Sequence, residues 1–127
     1  MAWIFPDEAT EAIEAVFYQV ERQGAWVPAL WVFEVANVLQ MAVRSRRYSP
    51  LFRDQAFASL EVLPIETEDL RTDRVWRAIS ELAARHRLTV YDAAYLELAK
   101  RRNIPLATLD IDLRTAATHE HIPLLGL

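Results

Sequence analysis

Four acids in this 127-residue chain, Glu34, Asp92, Asp110 and Asp112, stand where an apolar stretch is interrupted or ends. Asp92 lies in Leu88-Thr89-Val90-Tyr91-Asp92-Ala93-Ala94-Tyr95, an apolar run that turns into a helix. Asp110 and Asp112 follow the β-rich run Ile104-Pro105-Leu106-Ala107-Thr108-Leu109, and Glu34 sits inside Leu30-Trp31-Val32-Phe33-Glu34-Val35-Ala36-Asn37-Val38-Leu39. Carboxylates gathered without cysteine or a ligand-spaced histidine pair suit a hard cation such as magnesium or manganese, which take oxygen ligands. Each acid has a structural explanation as well. Thr89 is placed to N-cap a helix whose first turn holds Asp92, where exposed N–H groups favour a negative charge. A carboxylate among apolar neighbours, as Glu34 is, either turns outward along a polar stripe or is held by a partner such as a metal or an arginine, because an unpaired buried charge is prohibitive. Asn37, one turn on, faces the same way, as part of that stripe or as a group that orients Glu34. Asp112 is equally accounted for as a cap of the last helix.

The elements that must position these acids alternate. Asp7 to Arg22 reads as an amphipathic helix with Ala9, Ile13, Val16, Phe17 and Val20 on one side, ended by Gln23-Gly24. Ala25-Trp26-Val27 is a short strand closed by Pro28, and Leu30 to Arg44 is again helical through Val35, Val38, Leu39 and Ala42. Ser49-Pro50 gives an N-cap and a first-turn proline for a third helix reaching Leu60. Val62-Leu63-Pro64-Ile65 is the next strand, and Thr67-Glu68-Asp69 the acidic start of a fourth helix. That helix carries Leu70, Val75, Trp76, Ile79, Leu82 and Ala83 inward and ends near His86, where a histidine cation is favoured. The Asp92 helix runs to Lys100-Arg101-Arg102, Leu113, Ala116 and Ala117 suggest a short sixth helix, and Ile122-Pro123-Leu124-Leu125 a final edge strand. This alternation predicts one α/β domain over residues 1–127, a short parallel sheet flanked by helices. Ligands of such sheets bind beyond the carboxyl ends of the strands, so Glu34, Asp92 and Asp110 are expected to converge at one sheet edge.

Composition narrows the classes. An apolar fraction of 53%, a charged fraction of 25% and only two glycines fit an ordered globular chain. The absence of cysteine removes disulfides and thiolate metal sites and agrees with a reducing cytosol. The apolar opening stops at Pro6-Asp7-Glu8 with no basic region before it, too short for a signal peptide or a membrane span, so the expected location is cytoplasmic. A net charge of −4 offers nucleic acid no global attraction, and contact with RNA or DNA must rest on metal ions or local patches such as Arg44, Arg46 and Arg47. Those three arginines have an ordinary role too, offsetting the dipole at a helix C-terminus. His119 and His121, separated by one residue, are read as a helix-to-strand joint and not as metal ligands.

Taken in order, Trp3-Ile4-Phe5-Pro6-Asp7-Glu8, Val27-Pro28-Ala29-Leu30-Trp31, Glu34-Val35-Ala36-Asn37-Val38-Leu39, Leu88-Thr89-Val90-Tyr91-Asp92-Ala93-Ala94-Tyr95 and Leu106-Ala107-Thr108-Leu109-Asp110 resemble the PIN-domain ribonucleases, specifically the VapC-type toxins of type II toxin–antitoxin pairs. The resemblance covers nearly the whole chain. It implies a PIN-like three-layer fold and a magnesium- or manganese-dependent endoribonuclease acting on structured RNA, often a transfer RNA. It also implies a cognate VapB-type antitoxin that covers the active site, and a tendency to form homodimers. The family's acidic set falls on Glu34, Asp92 and Asp110, with Asp112 auxiliary and Asn37 and Thr108 placed to orient ligands or water.

VapC-type chains begin with a hydrophobic strand ending in a metal-binding aspartate, ahead of the segment matching Trp3 to Glu8, and Asp7 is no substitute for that residue. The resemblance therefore implies that the first family strand is missing from this sequence, through a displaced start, a truncation or a natural variation. Either way, weakened metal binding, weak cleavage and association through uncovered strand edges are expected. The rival from another class is a catalytically degenerate PIN-like module that binds antitoxin or RNA. A helix-rich DNA-binding regulator fits less well, because no helix is uniformly basic.

Overall fold

A computed structural model describes residues 5–68 and 73–126. The sequence readings that fall on Trp3, Ile4, Asp69 and Leu70 lie outside the described residues. After a single 3-10 turn at Pro6–Glu8 come α1 (Glu11–Gln23), β1 (Ala25–Pro28), α2 (Leu30–Arg44), α3 (Pro50–Glu61), β2 (Ile65–Glu68), α4 (Asp73–His86), α5 (Val90–Arg102), β3 (Leu106–Ala107), α6 (Ile111–His119) and β4 (Leu124–Leu125). The mixed α/β class and the parallel pairing agree with a PIN-like fold.

The strands form two parallel pairs in place of one continuous sheet among the described residues. β1 runs beside β2 with Ala25 opposite Ile65 and Pro28 opposite Glu68, and β3 beside β4 with Leu106 opposite Leu124. Several details differ from the sequence reading, the last two strands among them, which are two residues each at Leu106–Ala107 and Leu124–Leu125. The first helix begins at Glu11 because the Thr10 hydroxyl caps it, accepting from the Ile13 N–H at 3.2 Å. The strand expected at 62–65 lies at Ile65–Glu68, so Thr67 and Glu68, read as a helix start, pair with β1. Pairing with a neighbouring strand outweighs a local capping pattern. Trp76, expected inward, is 65% exposed, whereas Ile79, Leu82 and Ala83 are buried as read.

Gly24 is required where α1 turns into β1. Its φ is +77°, and a Cβ there would stand 2.8 Å from the Pro64 carbonyl oxygen, which accepts the Ala25 N–H at 3.1 Å. Only glycine allows both the positive φ and that approach.

Two apolar clusters hold the elements. The larger gathers Ile79, Leu82 and Ala83 of α4, Ala93, Ala94, Leu96 and Ala99 of α5, and Leu113, Ala116 and Ala117 of α6 with Leu106 and Ile122. The alanines let α5 lie close to its neighbours on several sides, against α4, β1, α6 and β3. The smaller cluster joins Phe5 to Val35, Leu39 and Ala42 of α2 and to Ala56 of α3. Phe5, Tyr48 and Phe52 stack there, the closest pair of rings being Tyr48 and Phe52 with centroids 4.1 Å apart.

Candidate functional site

α5 presents the central acid. The Thr89 hydroxyl accepts from the Asp92 N–H at 3.1 Å, which starts the helix and leaves the Asp92 carboxylate free of its own capping duty. Helical spacing then puts Tyr95, three residues on, on the face that carries Asp92. The Tyr95 ring is packed against the larger core while its hydroxyl reaches α2 and donates to Glu34 Oε1. Burial, and next the bond to Glu34, push the Tyr95 hydroxyl above its ordinary acidity range, and the negative charges of Glu34 and Asp92 add to this. Glu34 is thus not a buried unpaired charge: it is exposed at the surface of α2 with one oxygen held by a tyrosine. Asn37 is exposed one turn further along α2, and the bond to Glu34 comes from Tyr95.

Asp110 is organised differently. It is the N-cap of α6, its Oδ1 accepting from the Leu113 N–H at 2.8 Å, and its own N–H is held by the Thr108 hydroxyl at 3.2 Å. The Thr108 carbonyl accepts in turn from Arg114 at 2.6 Å, and the same guanidinium reaches the Leu125 carbonyl at 3.1 Å. The end of β3, the start of α6 and the end of β4 are tied together around Asp110. Asp112 is exposed in the first turn of α6.

The donor chemistry of Glu34, Asp92, Asp110 and Asp112 fits a hard divalent cation, all four offering carboxylate oxygens. The arrangement fits in part: the Tyr95 hydroxyl bonds Glu34 and feels the charge of Asp92, whereas among the described residues no three acid, histidine or cysteine side chains group so as to hold an ion.

Of the three arginines that could contact phosphate, Arg44 ends α2, ten residues and therefore about 15 Å along the helix from Glu34, and Arg46 and Arg47 follow just beyond that end. Arg47 is already engaged: it bonds Asp7 at 2.8 Å and Glu8 at 3.2 Å, and its guanidinium lies 4.4 Å from the centre of the Phe5 ring. Arg44 and Arg46 are exposed.

Two networks were not anticipated from sequence. Glu68, at the end of β2, accepts from Arg101 at 2.7 Å and Arg102 at 2.6 Å. Burial opposes its ionisation, yet the two guanidinium groups hold its carboxyl below the usual range. Arg102 also lies over Trp26, 3.4 Å from the ring centre, and Arg101 bonds Glu97 at 2.7 Å. At the opposite end of α5 from Asp92, Glu120 is 9% exposed and accepts from Lys100, His86 and Arg85 at 2.8, 2.8 and 2.6 Å. His86 stacks on His119 with ring centres 6.2 Å apart. Tyr95 too was overlooked, although its spacing of three from Asp92 was visible in the sequence.

No helix among the described residues is long and apolar enough to cross a membrane. The chain matches no curated protein. The family model of the PIN domain matches residues 1–118. PIN domains are in general metal-dependent nucleases, and with a match over nearly its full length this chain belongs to the PIN domain family.

Proposed function

We propose that this chain is a VapC-type endoribonuclease toxin that hydrolyses phosphodiester bonds of structured RNA, transfer RNA being the candidate substrate. Its partner is a cognate VapB-type antitoxin, it acts in the cytoplasm, and it pairs with a second copy of itself. The observation that carries the reading is the bond joining Glu34 of α2 to Tyr95, which stands one turn from Asp92 on α5, in a chain of a nuclease family.

Glu34 and Asp92 are the side chains that would hold the family's divalent ion, magnesium or manganese, with Asp110 and Asp112 as further oxygen donors. When bound, such an ion supplies an activated water and stabilisation for the leaving oxygen. The chain's own residues do the rest. Asp92 offers its carboxylate at the positive end of α5, Tyr95 on the same helix bonds Glu34, and Thr108 fixes the backbone from which Asp110 projects. Arg44 and Arg46, with Arg47 where its pairing to Asp7 and Glu8 opens, supply contacts to the RNA backbone at a distance from the cut.

The second reading, a degenerate module that binds antitoxin or RNA without cutting, is favoured by the engagement of Asp110 Oδ1 as a helix cap. Both readings are tested by incubating the purified chain with labelled transfer RNA in magnesium, in manganese and in a chelator. Cleavage that needs the metal and falls at least about 100-fold in Asp92→Asn is expected, the order of loss when a group that stabilises developing charge is removed. RNA binding without cleavage in either metal would establish the degenerate module and overturn the nuclease.

A further inference from the structure

Glu34 and Tyr95 are 61 residues apart in sequence and come from different helices, yet the phenol of one is bonded to the carboxylate of the other. The rest of the Tyr95 side chain packs against the core cluster built around α5. A ring anchored in the core has few orientations, so its hydroxyl is a fixed point, whereas an exposed glutamate on a helix has three rotatable bonds and samples many positions. Tyr95 also lies on the Asp92 face of α5, and both carboxylate charges act on its hydroxyl. The hydroxyl therefore stands where it can set the position of one site carboxylate relative to the other.

We infer that Tyr95 is a positioning residue of this site: its hydroxyl, held by the core, fixes the Glu34 carboxylate beside Asp92 in the arrangement that the cutting step uses. The inference rests on the nuclease reading and adds to it a residue without acidic function. Removing the hydroxyl leaves the ring, the helix packing and the RNA-facing surface unchanged, and frees Glu34. Groups that orient a site ligand in this way typically contribute 10- to 100-fold in affinity or activity.

The test compares the full chain with Tyr95→Phe and Glu34→Gln. With RNA in magnesium, Tyr95→Phe is expected to lower kcat at least about tenfold with KM within about twofold of the parent. RNA affinity measured by fluorescence anisotropy in a chelator should be the same for both. A double-mutant cycle on urea stability, with Glu34→Ala as the partner variant because a glutamine would still accept the bond, supplies a readout independent of cleavage: the effects of Tyr95→Phe and Glu34→Ala should be non-additive, as for groups in direct contact. A Tyr95→Phe protein with parental kcat, while Glu34→Gln is inactive, would overturn the positioning role and leave the nuclease reading standing. Additive stabilities would overturn it as well, and so would a loss confined to KM. Full cleavage by Glu34→Gln would instead overturn the site itself, and the role of Tyr95 with it.

Discussion

Glu120 shows how far a single side chain departs from its ordinary behaviour when three cationic partners converge on it. Its bonds to Lys100 and His86, followed by Arg85, outweigh the penalty of burial and bring its carboxyl down to about 2 from 4.5. The folded value is the lower one, so the carboxylate's contribution to stability is complete above the unfolded value and disappears as pH falls toward 2. A depression of this size corresponds to about 3 kcal/mol. Urea unfolding at pH 6 and at pH 2 is therefore expected to differ by about 3 kcal/mol more in the parent than in Glu120→Gln. Equal pH dependence in the two proteins would show that Glu120 is not the group responsible.

The same residue scale separates what sequence reveals from what it conceals. Thr89 and Ser49 were readable as caps because capping is local: each hydroxyl serves an N–H three residues on. Asp92 and Glu34 were legible as acids out of place in apolar strings. Their common partner was not, because nothing within a few residues of Glu34 signals a tyrosine 61 positions away. The basic ends of α2 and α5 were likewise readable as charge but not as contacts. Arg47 and Arg102 find their carboxylates, and Arg101 finds Glu68 beyond its neighbour Glu97, only when distant elements meet.

Among the elements, α5 is the one on which the others depend. Leu96, fully buried, and its alanine neighbours pack toward α4 and α6, while Tyr95 reaches Glu34 of α2 and Lys100 to Arg102 tie down Glu120 and Glu68. Leu96→Ala should cost about 2–5 kcal/mol, the range for a large-to-small change in a packed core, measured as a shift of the urea midpoint with unchanged slope. Its effect on cleavage at a temperature where the variant remains folded should be small, because the change removes packing and not the site. At this scale too, periodicity predicted most helices correctly, since a buried stripe such as Val35, Leu39 and Ala42 repeats every turn. Strand placement slipped at β2 because four residues that pair, among the described residues, with β1 alone carry little pattern of their own, and their register is set by β1.

For the whole molecule, the arrangement of α4 and α5 has a consequence in time as well as in space. These two helices are consecutive in the chain, joined by Arg87 to Thr89, and their contacts close only a short loop. Loops of this length form early, whereas contacts between distant segments pay more chain entropy before they are rewarded. Pulse-labelled hydrogen exchange during refolding should therefore protect the amides of α4 and α5 first and those of α2 later. Asp92 and Tyr95 on α5, part of the proposed site, are then in place while Glu34 is still searching, and the Glu34–Tyr95 bond forms only once α2 docks. A nascent or partly refolded chain would be structured yet chemically silent until α2 docks.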